Sequence, residues 1–338
     1  MSRRRGEAST MVRALIAVFA AVCLLTAAYF VGRFFENRGA ATERGDLEGR
    51  FEEARIVEYN GQHYRYRQKD LTTVLFMGID TTSEGEKVGV GYRNGGQSDF
   101  LLLMVIDKGK QRVTPVHIDR DTMTEITVLG VLGNPAGTTR AQICLSHGFG
   151  DGKAQSCQYT MDAVSKLFLG VDIDFYVAMN LDSIALLNDA VGGVTVTLED
   201  DFSMIDPTMT EGTTLTLVGK QAEYYVRNRM QIGVGTNEAR MVRQRDYMDK
   251  LGHILDERTS DSADFIGVLF DLLEPNLETN MKRGRMINEV WNSRHYTREE
   301  TLSPAGEHQI GSDGFVEFIA DEAALEELVI GLFFEPVS

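Results

Sequence analysis

Five arginines and no lysine crowd residues 224–246, YYVRNRMQIGVGTNEARMVRQRD, in a 338-residue chain whose formal net charge is −16. They are Arg227, Arg229, Arg240, Arg243 and Arg245. A guanidinium offers a rigid planar fork of donors that meets phosphate or carboxylate through paired hydrogen bonds, a geometry an ammonium lacks. Arg227 and Arg229 are two apart and would face one side of an extended backbone. Arg240 and Gln244 are four apart and would share one face of a helix that begins near Asn237 and Glu238. Arg243 and Arg245 would then point elsewhere, as ordinary surface residues. A diphosphate suits such a cluster; salt bridges to the chain's many acidic side chains are the plainer alternative.

Three further spots have chemical character. Asp80 closes the apolar run TVLFMGID, and carboxylates at the carboxyl ends of strands stand where α/β sheets bind ligands. The competing reading is an aspartate that closes a turn. Asp99 opens the next apolar run, SDFLLLMVI, after a glycine-rich segment that contains Arg93. If the two runs are neighbouring strands, both carboxylates converge on a hard divalent cation, which prefers oxygen ligands and shares them with phosphates; Mg2+ is the natural candidate. In HIDRDTM, Arg120 and Asp121 follow directly on a strand. They read either as an arginine aimed at a ligand and held by its neighbour, or as a turn-closing ion pair.

The elements that must position these residues alternate. Strand-forming runs fall at 73–79, 100–106 and 112–118, the last two joined by the turn 107–110, and again at 175–179 and 194–198. Helical patterns occupy 160–169, 181–191, 221–226, 238–255, 265–273 and 322–333. Strands alternating with helices predict an α/β fold, a three-layer αβα domain whose central sheet is mixed because of the hairpin.

Ahead of that domain, residues 14–32 (ALIAVFAAVCLLTAAYFVG) form an uncharged run of about the 20 residues a helix needs to cross a bilayer, which predicts one N-terminal transmembrane helix. A cleaved secretory signal would carry a shorter apolar region and a small-residue cleavage site. Arg3, Arg4, Arg5 and Arg13 place residues 1–13 in the cytoplasm. Residues 33–70 then form a charged extracellular stalk, with a short hairpin around Tyr59–Asn60–Gly61, and residues 71–336 form the folded domain outside the cell membrane. The acidic balance argues against nucleic acid as a partner. In that compartment Cys144 and Cys157 could close a disulfide around a glycine-rich loop; two free thiols are the alternative.

Asp80, the SD of Ser98–Asp99, the RDT of Arg120–Asp121–Thr122, YVRNR at 225–229 and ARMVRQ at 239–244, in this order, resemble the LytR–CpsA–Psr family of cell-envelope enzymes. The segment DFYVAMNLDSIALLNDAVGGVTV resembles the family's middle section, and the likeness runs from Thr73 to the C-terminus. It implies a Mg2+-dependent phosphotransferase that moves an anionic glycopolymer, such as teichoic acid or capsule, from a polyprenyl-diphosphate lipid carrier to peptidoglycan. A phosphodiester link would form at the outer face of the membrane. The resemblance implies Asp80 and Asp99 as metal ligands, and Arg120, Arg227, Arg229, Arg240 and Gln244 as the diphosphate clamp. Arg120, Asp121, Arg227 and Arg229 would be catalytic, Asp121 as a base or orienter. A hydrolase using the same site, or a non-catalytic envelope-binding or regulatory protein, is the alternative. Three departures stand out: Gln97 where the family has arginine, Asp119 where it has proline, and RAQICLSHGFGDG in place of a KIN-type segment.

Overall fold

The computed structural model describes residues 55–82, 95–130, 133–229, 232–260 and 262–337. The expected cytoplasmic residues 1–13, the span 14–32, most of the expected stalk and Arg93 lie outside them. Among the described residues no helix is long and apolar enough to cross a membrane.

The chain divides into two compact units. In the first, strands β1 (Ile56–Tyr59) and β2 (Gln62–Tyr66) pair antiparallel, with Tyr59 opposite Gln62. Asn60 and Gly61 between them have φ of 51° and 73°, the two positive angles that a two-residue type I′ hairpin turn demands. The hairpin therefore stands where Asn60–Gly61 predicts it, and the Val337 N–H donates to the His63 carbonyl at 2.8 Å.

The second unit, Arg67–Glu335, is built on a six-stranded sheet. Its strands are β3 (Leu71–Ile79), β4 (Ser98–Asp107), β5 (Arg112–Ile118), β8 (Phe175–Met179), β11 (Leu277–Thr279) and β12 (Thr297–Arg298), in the order β11-β8-β3-β4-β5-β12. The β3–β8 and β5–β12 pairs are parallel and the rest antiparallel, so the sheet is mixed, as the hairpin implies. Side chains alternate across it. Phe76, Leu102, Met104 and Val177 face the helices Asn237–Ser260, Asp264–Leu273 and Arg283–Ser293. Leu75, Met77, Leu101 and Leu103 point the other way and are fully buried. Helix Ala154–Leu167 packs on β8, and just beyond it Phe168 meets Phe333 edge-on, centroids 6.4 Å apart. Both faces are thus covered, which is why these strands read as near-continuous apolar runs.

A second core cluster, with Val194, Phe202, Leu217, Tyr225 and Tyr247 at its centre, joins helix Lys220–Arg227 to the long helix. Two hairpins have no counterpart in the sequence reading: β6 (Met123–Leu129) with β7 (Pro135–Gln142), and β13 (Gly306–Ile310) with β14 (Val316–Ala320). Helix Ala154–Leu167 also begins before position 160, so Cys157 belongs to a helix rather than to a loop end.

Candidate active site

Strands β3, β5 and β8 end, and antiparallel β4 begins, at one edge of the sheet; that common edge brings together Asp80, Asp99, Arg120 and Asn180. Gly78 opposes Phe100 while Ile79 opposes Ser98, so Asp99 is the extra residue of a β-bulge. A bulge re-aims the side chain it carries, a device common beside active sites. Asp80 is held by reciprocal bonds, its N–H donating to the Gln97 carbonyl at 3.0 Å and its Oδ1 accepting from the Gln97 N–H at 2.5 Å. That approach needs Gly96, at φ +70°, where a Cβ would stand 2.9 Å from Asp80 Oδ1 and 2.6 Å from Thr81 Cγ2.

Arg120 sits at the centre. One Nη binds Asp99 Oδ1, and the other donates to Gln97 Oε1 at 2.5 Å and to Cys144 Sγ at 3.3 Å. Its Nε lies 3.4 Å from Asp121 Oδ1. Gln97 thus orients Arg120 without adding a charge. Arg240 approaches from above, its Nη1 3.7 Å from Asp99 Oδ2, so Asp99 lies between two guanidiniums.

Arg227 ends a helix and does not lie on extended backbone. The expected shared facing of Arg227 and Arg229 is therefore corrected: Arg227 pairs with Glu223 one helical turn back at 3.0 Å, and Asn228 turns the chain before Arg229. Among the described residues no side-chain partner engages Arg229, whose charge reaches Asp121 and Arg240. Arg243 is not a surface residue either; it is 6% exposed. Its Nε donates to the Tyr225 carbonyl at 3.1 Å, its Nη1 to Asp200 at 2.8 Å and its Nη2 to the Asn228 carbonyl. Gln244 Nε2 donates to the Val226 carbonyl at 3.1 Å. The last carbonyls of a helix lack intrahelical partners, and these two side chains supply them, fixing the turn that carries Arg227 and Arg229. Arg245 is half-buried.

The disulfide expectation is likewise corrected. Cys144 and Cys157 are both free and buried, one against Arg120 and the other 3.7 Å from His147 Nε2. Burial pushes the Cys144 thiol up to about 12, so it meets Arg120 as a neutral group.

Electrostatics follow from burial. Burial first, then the charge of Asp99, pushes the Asp80 carboxyl above its ordinary range, against the Gln97 N–H and the charges of Arg120 and Arg227. Asp121 is raised by burial and by Asp119, while burial lowers Arg240. A cation between Asp80 and Asp99 would relieve their repulsion, and two hard oxygen donors fit Mg2+. Among the described residues no group of three or more His, Cys, Asp or Glu could hold a metal, so its other ligands would be phosphate oxygens and water. Among the described residues, three buried atoms near the site have no hydrogen-bond partner: Arg120 Nε, Arg240 Nε and Gln244 Oε1.

Beneath the charged edge opens an apolar cavity. A mouth of about 130 Å³ is lined by Asp80, Asp99, Arg227, Arg240 and Gln244 together with Phe76 and Leu251. It shares Phe76, Met179, Met248 and Leu251 with a chamber of about 380 Å³ that runs under the sheet past Met104, Phe270 and Met281. Sequence alone gives no sign of this chamber, because its lining looks like ordinary core. Asn180 also went unread, although it had a signal, since it follows strand 175–179 at the same sheet edge.

The LytR_cpsA_psr family model matches residues 32–329, and the chain belongs to that family. Among curated relatives, the polyisoprenyl-teichoic acid–peptidoglycan teichoic acid transferase TagU of Bacillus subtilis (strain 168) is 29% identical over 264 residues, 77% of this chain and 76% of the relative. The crystal structure of B. subtilis TagU superimposes with a TM-score of 0.52 at 25% identity, over 78% of this chain and 95% of that one. Protein gbs0355 of Streptococcus agalactiae shares the mixed-sheet fold, with a TM-score of 0.64 at 21% identity over 78% of this chain and 88% of that chain.

Proposed function

We propose that this chain is a glycopolymer phosphotransferase that moves an anionic polymer from a polyprenyl-diphosphate carrier to peptidoglycan, forming a phosphodiester link at the outer face of the membrane. The observation that carries the reading is the arginine-lined mouth opening directly onto an apolar chamber, a shape suited to one molecule with a charged head and a hydrocarbon tail. The names of the TagU relatives support the substrate class. Residues 14–32 would anchor the chain in the bilayer that holds the carrier, which raises their effective concentration.

Phosphoryl transfer needs positioning and charge neutralisation more than covalent protein chemistry. Arg120, Arg227, Arg229 and Arg240 would bind the diphosphate oxygens, with Gln244 fixing the turn below them. Asp80 and Asp99 would hold Mg2+, which supplies further neutralisation of the diphosphate when bound. Asp121, poised by burial to take a proton, would orient or deprotonate the attacking hydroxyl of a peptidoglycan sugar. Guanidiniums already fixed in place stabilise the charge that develops on the leaving polyprenyl phosphate, and fixed donors of this kind each contribute about 10²–10³-fold.

The test is a transfer assay with purified full chain, lipid-linked polymer and peptidoglycan, with and without Mg2+. Covalent attachment that needs Mg2+ and collapses in Asp99→Ala and Arg229→Ala supports the reading. Polymer phosphate released in soluble form would make the protein a hydrolase, and full activity of both variants would discard the site.

A further inference from the structure

The Asp119 carboxylate is 5% exposed, with both oxygens engaged. Oδ1 accepts from the Asp121 N–H at 2.8 Å and from Asn237 Nδ2 at 2.9 Å; Oδ2 lies 2.8 Å from His308 Nε2. A carboxylate only accepts, so His308 carries a proton on Nε2 and Asn237 turns its amide nitrogen toward Asp119. That choice leaves Asn237 Oδ1 to accept from Arg240 Nη2, at 2.6 Å. Donor and acceptor are thereby fixed at every link from His308 through Asp119 and Asn237 to Arg240, and Arg240 in turn faces Asp99.

The chain of bonds joins distant parts of the sequence. His308 lies on β13, with its ring edge-on to Phe318 at 5.0 Å between centroids. The same hairpin is tied to the Arg120–Asp121 turn: the Phe318 N–H donates to the Asp121 carbonyl at 2.8 Å, and Gln142 Nε2 bridges the Val316 carbonyl and Asp121 Oδ1. Arg240 is 4% exposed, and among the described residues its Nε has no hydrogen-bond partner and Asn237 is the side chain that hydrogen-bonds its guanidinium and so sets its roll about the long axis. A proline at position 119 would have no side-chain acceptor to hold Asn237.

We propose that His308, acting through Asp119 and Asn237, is a positioning residue for Arg240, holding that guanidinium in the plane in which it meets a ligand diphosphate. The proposal rests on the diphosphate reading of the site, and it concerns this chain's own device for orienting the clamp.

The test is calorimetric binding of farnesyl diphosphate, with Mg2+ present, to the purified full chain and to H308F, H308Q, R240A and the H308F/R240A double variant. H308F keeps a ring against Phe318 and loses the donor; H308Q keeps a donor. Loss of a charge-assisted bond in the relay predicts about tenfold weaker binding for H308F, with H308Q close to wild type. In the R240A background H308F should cause no further loss, because groups acting through one shared partner are not additive. Wild-type affinity in H308F, or an equal loss in both backgrounds, overturns the proposal and leaves the diphosphate reading standing. No binding by the wild-type chain overturns both. If H308F does not stay folded, Asn237→Ala cuts the same relay nearer Arg240 and is read identically.

Discussion

At the scale of single residues, the site is a set of charges held out of water by their neighbours. Asp121 carries a folded-state pKa raised by burial and by Asp119. Its native state therefore holds a proton over a pH range where the unfolded chain has lost it. Stability from this group falls as pH rises from the ordinary carboxylate range through the raised pKa, and the full penalty is present above it. Asp121→Asn should thus flatten that decline and raise the melting temperature at pH 7, by about 2–4 °C for each kcal/mol recovered, while transfer activity falls. A lower melting temperature at pH 7 would contradict the assignment. Arg243→Ala should cost about 1–3 kcal/mol by freeing the Tyr225 and Asn228 carbonyls, and should raise KM through Arg227 and Arg229. Arg243→Lys should not rescue it, because an ammonium cannot span two carbonyls and a carboxylate; urea titration with steady-state kinetics checks both. The cysteines offer a further check: alkylation after denaturation without reductant should modify both Cys144 and Cys157. Asp80, Asp99 and Arg120 were legible from strand ends, whereas Arg243 was misread because helical spacing tells which face a side chain shares and not what packs on that face.

At the scale of elements, strands β3, β4, β5 and β8 were read well because they are buried on both faces and announce themselves as apolar runs. The hairpins β6–β7 and β13–β14 escaped because one strand of each, β7 and β13, is largely exposed and polar, with little apolar alternation to detect. That gap hid His308. The chamber escaped for a related reason: Phe76, Met104 and Leu251 are the residues a filled core would use, and only packing leaves space between them. Its role predicts a separation of head from tail. Met104→Trp should leave binding of inorganic diphosphate unchanged but weaken a prenylated one, by about 0.8 kcal/mol for each methylene displaced. Equal weakening of both ligands would place the tail elsewhere.

At the scale of the molecule, an acidic chain of net charge −16 sets Arg120, Arg227, Arg229 and Arg240 at one end of its sheet, among Asp80, Asp99 and Asp121. Such a site is close to neutral when empty and gains most from a ligand that brings both a cation and phosphates. An anchor at residues 14–32 would belong to the same logic, since a tethered domain would meet its lipid in the same bilayer. The most direct test of the central claim is photolabelling of the full chain by a polyprenyl diphosphate with a photoreactive group at the tail end, followed by peptide mapping. Crosslinks on residues lining the chamber, such as Met104, Phe270 or Met281, competed by unlabelled carrier and lost in Arg229→Ala, are the predicted result. Labelling that avoids the chamber, or persists undiminished in Arg229→Ala, would contradict it.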